Sequence, residues 1–316
     1  MPIKLGVLGA ADIAFRRFLP ALKKSKDIIF YGIASRDQSK ANKFTKIFGG
    51  QVYETYENLL KDKMIDAVYI PLPPALHFEW AKMALQYGKH IYMEKPFCTN
   101  LSQTIGLVEF AKKRKKVLHE NYMFIFHKQI EIIKDILREH QLGEIRLIRI
   151  AFGFPKRAET DFRYNKDLGG GSLLDCGGYT LKLASELMGD DLIVKHKKLE
   201  KENYDIDLYG AATLENKFGK IIQIAFGMDN SYLCELEIWG SNGYLKAPRI
   251  FTAPADFDVN LELGINNKKV IVNVGMDDQF FKSIQYFIQL VTNPNLQQKN
   301  YESILKQAIL LDRMEN

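Results

Sequence analysis

Through the first third of the chain, short apolar runs alternate with segments whose apolar residues recur every three to four positions. Residues 3–9 are apolar on both faces, the pattern of a strand that helices cover from either side. A helix is predicted from Asp12, with Ile13, Phe18, Leu19 and Leu22 available to pack. The alternation then repeats: strand 28–34, helix 38–48, a short strand near Val52, helix 56–61, strand 67–70, helix 77–87 and strand 90–93. Helix 102–113, strand 117–121 and a long helix 127–141 complete this part. Strands and helices in alternation with short links predict an α/β fold built on a doubly wound parallel sheet.

From about Gly143 the rhythm changes. After a strand at 144–154 and a helix at 172–188, strand-like runs follow one another at 193–199, 206–214, 220–226, 233–239, 259–263 and 269–274. In Leu233-Cys234-Glu235-Leu236-Glu237-Ile238, acidic and apolar residues alternate, as on a sheet with one wet face. The second half therefore reads as an α+β domain on a largely antiparallel open sheet, closed by helices at 278–291 and from 301 to the C-terminus. The expected division is 1–122 and 123–316, with the last helix free to pack back on the first domain.

The composition agrees with two folded domains: 316 residues, 47% hydrophobic and 26% charged. The net charge of +6 is mild for this length and does not point to nucleic acid. With no apolar stretch of about 20 residues and a strand pattern directly at the N-terminus, neither a membrane span nor a signal peptide is expected. Cys98, Cys176 and Cys234 are odd in number and widely spaced, which fits a reducing cytoplasm and gives no metal-ligand spacing.

The candidate chemistry begins at the turn after the first strand. From Gly9 it matches Gly-x-Gly-x-x-Gly/Ala with Ala11 in the second glycine position, so Gly9, Ala10, Ala11, Asp12 and Ile13 are expected to hold a dinucleotide. A tight strand-to-helix turn in any α/β protein could look the same, but this one opens a helix whose N-terminus can hold phosphate. The second strand ends at Ala34-Ser35-Arg36-Asp37, where the ribose is read: Ser35 and Arg36 suit the 2′-phosphate of NADP(H), while Asp37 keeps NAD(H) open. Lys95 ends the run His90-Ile91-Tyr92-Met93, and Pro96 stops the strand by removing a backbone donor. Its ammonium is thereby placed at a strand C-terminus, the ligand-binding edge of such sheets.

Pro71-Leu72-Pro73-Pro74-Ala75-Leu76-His77, Gly88-Lys89-His90 and Glu94-Lys95-Pro96, in register behind the first turn, resemble the glucose-fructose oxidoreductase, inositol dehydrogenase and MocA family of nicotinamide enzymes. The resemblance covers nearly the whole chain. It implies an N-terminal Rossmann domain for NADP and a C-terminal substrate-binding and oligomerisation domain. Leu72, His77, Glu94, Lys95 and Asn121 join the expected cofactor contacts. The family's second signature falls at Gly169 to Tyr179, where many members carry an acid-base histidine. This chain has Tyr179 instead, as do glucose-fructose oxidoreductase, dimeric dihydrodiol dehydrogenase and the deoxysugar 3-ketoreductases. The stretch Phe152-Gly153-Phe154-Pro155 through Asp161-Phe162-Arg163-Tyr164 is most similar to the nucleotide-linked sugar 3-ketoreductases, which makes Arg163 and Tyr164 substrate-contact candidates.

Asp175 and Tyr179 are four apart and would share a helix face, so both, with Lys95, are expected at the substrate. A tyrosine of ordinary pKa, about 10, is a poor acid at neutral pH, and a nearby ammonium lowers it. The expected reaction is hydride transfer to a keto group, with Tyr179 as proton donor and Lys95 stabilising the developing charge. The expected substrate is a sugar or nucleotide-sugar. Oxidation of a free sugar or trans-dihydrodiol, or a non-catalytic nicotinamide-binding regulator, are the alternatives. The alternating second sheet predicts a homodimer or homotetramer. The basic run Lys112 to Lys116 is expected to complement a helix C-terminus, and the run Lys195 to Lys201 to form the wet face of a strand.

Overall fold

Six strands, β1 (Ile3–Leu8), β2 (Ile28–Ala34), β3 (Gln51–Tyr53), β4 (Ala67–Ile70), β5 (His90–Met93) and β6 (Leu118–Glu120), pair in parallel in the order β3-β2-β1-β4-β5-β6. The order reverses between β1 and β4, which makes the crevice at their carboxyl ends the ligand site of the sheet. The apolar runs form these strands because both faces are covered: β4 is buried throughout, and Leu5, Val7 and Leu8 of β1 have no exposed surface. Each such Leu or Val contributes about 1.5–3 kcal/mol by leaving water. Side-chain caps start the helices between strands. Asp37 accepts from Lys40 N ahead of helix Gln38–Phe48, Thr55 from Asn58 N ahead of Tyr56–Lys61, and Asn100 from Gln103 N ahead of Leu101–Arg114.

This computed structural model describes residues 1–189, 191–266 and 268–316. The chain forms two units, Met1–Asn121 with Phe280–Ala308, and Tyr122–Gln279 with Ile309–Asn316.

The second unit is built on eight strands: β7 (Ile145–Gly153), β8 (Ile193–Glu200), β9 (Tyr209–Glu215), β10 (Ile221–Gly227), β11 (Leu233–Gly240), β12 (Gly243–Ala247), β13 (Val259–Ile265) and β14 (Lys268–Gly275). Their order is β14-β13-β12-β11-β7-β10-β9-β8, antiparallel except where β7 meets β10. One face is apolar and buried, with Ile148, Ile150, Phe152, Ile222, Ile224, Phe226, Leu236 and Ile238, and helix Gly178–Met188 packs against it. The other carries Arg149, Gln223, Ala225, Glu235 and Trp239.

Several boundaries depart from the sequence pattern. β12 was not predicted, because five residues opening on Gly243 give almost no periodic signal; pairing with β11 and β13 makes it a strand. Ile206–Leu208 precede β9 as a loop, and the last helix starts at Pro294, which suits a first helical position. The two functional helices, expected to be regular from Asp12 and Ser172, each begin with a wide π turn, at Ala14–Phe18 and Leu173–Gly177, a feature frequent at functional sites. The basic run does end helix Leu101–Arg114, with Lys115 in the left-handed conformation. The Lys195–Lys201 run is not an alternating face: Lys195 to Lys198 are all exposed, because β8 is an edge strand, where lysines discourage pairing with another sheet. Among the described residues, no helix is long and apolar enough to cross a membrane.

Candidate active site

At the end of β1 the chain turns through Gly9, whose φ of +103° is open to glycine and strained for other residues. A Cβ there would also lie 2.7 Å from Leu72 Cδ2, so the missing side chain lets the loop after β4 lie against the turn. Ala10, Ala11 and Ile13 are half-buried and Asp12 is exposed, its carboxylate paired with Arg16 one helical turn on. The backbone room at Gly9 fits a dinucleotide phosphate. At the end of β2, Ser35 is buried and accepts from Asp37 N at 3.1 Å, while the Asp37 carboxylate is committed to capping its helix at Lys40 N, 3.0 Å. That leaves Arg36 as the exposed group at the ribose position, close enough to Tyr56 for its charge to act on that hydroxyl. Burial raises the Tyr56 pKa and the Arg36 guanidinium pulls against it. A cation here with the neighbouring carboxylate tied back fits a 2′-phosphate better than a bare ribose hydroxyl.

Glu94 and Lys95 follow β5 directly. The Glu94 carboxylate accepts from Tyr69 OH and Asn121 Nδ2, each at 2.7 Å, and Asn121 Oδ1 accepts from Tyr92 OH at 2.8 Å and Ser283 Oγ at 3.0 Å. Burial pushes the Glu94 pKa up; these two bonds and the Lys95 ammonium hold it down. Glu94 and Asn121 were expected to touch the cofactor. Asn121 is fully buried with both amide ends bonded to protein, so its structural part is to brace the Lys95 strand end. His77 was expected there too, but it is fully buried, with Nδ1 2.9 Å from Pro96 O and Nε2 2.8 Å from Leu72 O. Both ring nitrogens are thus engaged by backbone carbonyls. Tyr69, Tyr92 and Ser283 were not singled out in the sequence; Ser283 lies 162 residues from Asn121, and no local pattern marks it.

In the second unit, Tyr179 is the second residue of helix Gly178–Met188 and only 6% exposed. Its ring sits among Tyr122, Phe124, Phe152 and Phe251, at centroid distances of 5.2–5.6 Å, and its hydroxyl lies 3.7 Å from Met123 Sδ. Apolar packing of this kind fixes the ring and leaves the hydroxyl as the polar tip. Asp175, expected on the same helix face as Tyr179, accepts from Arg163 Nε at 2.6 Å, and Arg163 also reaches Asp161 at 3.1 Å. Burial alone would lower the Arg163 pKa, but the two carboxylates raise it above the ordinary value. Tyr164 OH accepts from Arg157 N at 2.9 Å and donates to Met228 O at 3.2 Å, so it shapes the loop. Asp207 was not singled out either; its carboxylate accepts from Ser172 Oγ and Leu173 N, both at 2.6 Å, and anchors the start of the Tyr179 helix. Among the described residues, no group of His, Cys, Asp and Glu could hold a metal ion.

A parallel sheet with its switch point between β1 and β4, a glycine turn there and a lysine one strand further along define a dinucleotide-binding oxidoreductase. The comparisons make it specific. The family model described as oxidoreductase family, NAD-binding Rossmann fold, matches residues 3–122, and the GFO/IDH/MocA C-terminal domain matches residues 130–246. The chain belongs to the GFO/IDH/MocA oxidoreductase family. It is 39% identical over 318 residues to a dTDP-3,4-didehydro-2,6-dideoxy-alpha-D-glucose 3-reductase of Actinomadura kijaniata, covering 98% of this chain and 94% of the relative. A 3-ketoreductase from the same organism, solved with NADP and TDP-benzene, superimposes with a TM-score of 0.96 at 39% identity, covering 100% of this chain and 97% of that one. That enzyme has also been solved with a Tyr→Phe and with a Lys→Ala replacement. A D-xylose 1-dehydrogenase (NADP(+)) of Haloferax volcanii is 27% identical over 289 residues, covering 90% of this chain and 88% of the relative.

Proposed function

We propose that the protein is an NADP-dependent reductase of a keto group on a nucleotide-linked deoxysugar, of the 3-ketoreductase type. The observation that carries this reading is the full-length likeness to the Actinomadura kijaniata 3-ketoreductase, at a TM-score of 0.96. Gly9 to Ile13 hold the pyrophosphate on the turn and helix start, and Ser35 and Arg36 hold the 2′-phosphate. NADPH, when bound, supplies the hydride. Tyr179 gives its hydroxyl proton to the carbonyl oxygen as that oxygen becomes an alkoxide, and Lys95 stabilises the charge on it, contributions on the scale of about 10²–10⁴-fold for the proton transfer. Arg163, held by Asp161 and Asp175, shapes the substrate loop with Tyr164. The replacement of a Tyr and a Lys in the solved relative supports giving these two residue types the chemistry.

The exposed face of the second sheet supports assembly into a homodimer or homotetramer. Its surface carries Ala151, Ala211 and Ala225 on one side of a charged row in which Glu237 meets both Arg149 and Lys246, with Leu233 at 42% and Trp239 at 59% exposure adding apolar area. Cys98, Cys176 and Cys234 are all buried as thiols, which suits a reducing cytoplasm. Consumption of NADPH with dTDP-3,4-didehydro-2,6-dideoxy-D-glucose, against free keto sugars and trans-dihydrodiols, tests the substrate class. Turnover of the free compounds alone would refute it, and a monomer by sedimentation would refute the assembly.

A further inference from the structure

His77 joins two loops that serve different halves of the proposed reaction. Its Nε2 faces the carbonyl of Leu72, in the loop that lies against the Gly9 turn, and its Nδ1 faces the carbonyl of Pro96, the residue after Lys95. The ring is fully buried, so water competes for neither contact. A buried carbonyl that loses its donor is left unsatisfied, at a cost of about 1–3 kcal/mol, and the loop carrying it shifts to find another. From these two contacts we infer that His77 is a positioning residue with two separable ends, the Leu72 end setting the cofactor turn and the Pro96 end setting Lys95. The inference rests on the functional reading above, because it needs Gly9 to hold NADPH and Lys95 to act in turnover.

The chemistry of the ring sets a condition. Both oxygens are acceptors, so both contacts are hydrogen bonds at once only in the imidazolium, and the neutral ring keeps one of them. Burial, the largest influence, and the Lys95 cation lower the His77 pKa below its ordinary value, against the backbone of Leu72, Pro96 and Phe97, which pulls it up, so the doubly bonded imidazolium belongs to the acid end of the pH range.

Side-chain amides separate the two ends without depending on pH. Asparagine puts its NH2 near the place of Nδ1, and glutamine puts it near that of Nε2. His77→Asn therefore keeps the Pro96 end and His77→Gln the Leu72 end. NADPH affinity is read by fluorescence titration without substrate, and kcat with the keto sugar, both from pH 5.5 to 8. At the acid end, His77→Asn is expected to weaken NADPH roughly 3- to 10-fold with kcat near wild type, and His77→Gln to lower kcat by a similar factor with NADPH affinity kept. The same change in both variants, or a change in only one, overturns the inference, since a merely structural histidine would lower both parameters together. Wild type that binds no NADPH and reduces no sugar would remove the functional reading instead. Should a variant fail to fold, nitrogen-15 histidine NMR of the wild type reads the same contacts. Both His77 ring nitrogens then carry slowly exchanging protons at the acid end and one of them at the alkaline end; protons that exchange as fast as those of an exposed histidine overturn the inference.

Discussion

Asp207→Ala tests how the catalytic helix is held. The Asp207 carboxylate accepts from Ser172 Oγ and Leu173 N at 2.6 Å each, while its own carbonyl accepts from Ser172 N at 2.7 Å. Ser172 is fully buried, and Gly171, at φ +119°, leaves the room the carboxylate occupies: a Cβ there would lie 2.5 Å from Asp207 Oδ1. Removing the carboxylate takes away a cap to the first turn, about 0.5–2 kcal/mol, and leaves the Ser172 hydroxyl without its acceptor, about 1–3 kcal/mol. The two overlap, and water reaches half-buried Asp207, so the expected loss is about 1.5–3 kcal/mol. Urea unfolding with an unchanged m-value reads it directly. Turnover is expected to fall further than stability requires, by up to about 10²-fold under conditions where the variant is fully folded, because the helix that starts there carries Tyr179. Asp207→Asn keeps one acceptor and should fall between. A variant within 0.5 kcal/mol of wild type, with full kcat, would refute this account of the helix start.

Tyr179→Phe is expected to lower kcat by about 10²- to 10⁴-fold while NADPH affinity stays near wild type; wild-type turnover would take Tyr179 out of the mechanism. Arg36→Ala should weaken NADPH far more than NADH in fluorescence titrations, and equal weakening would sink the 2′-phosphate assignment. Glu186 is held by Lys134 at 2.7 Å and Lys182 at 3.4 Å; burial raises its pKa, but these cations lower it below the ordinary carboxylate value. Its stabilisation is therefore complete above the unfolded carboxyl pKa and lost as pH falls through the lower folded one. Glu186→Gln should flatten that acid limb of the stability curve, and an unchanged limb would contradict the pairing.

The parallel unit was legible in the residue pattern, because buried strands are apolar on both faces and their helices begin at Asp37, Thr55 and Asn100, whose caps are local. The sequence also marked Gly9, Arg36, Lys95 and Tyr179 as candidates, since each stands at a motif or a strand end that a few neighbouring residues define. Which neighbours support these residues emerges from the folded chain. Asn121, Glu94, Tyr92 and Ser283 form one buried network across distant segments, and His77 lies between two carbonyls from separate loops. Asp175 accepts from Arg163, 12 residues away, and Asp207, 35 residues from Ser172, caps a helix it does not belong to. A motif records groups that neighbouring residues bring together. Hydrogen bonds between distant segments leave no periodic trace, because the fold alone brings their donors and acceptors within reach.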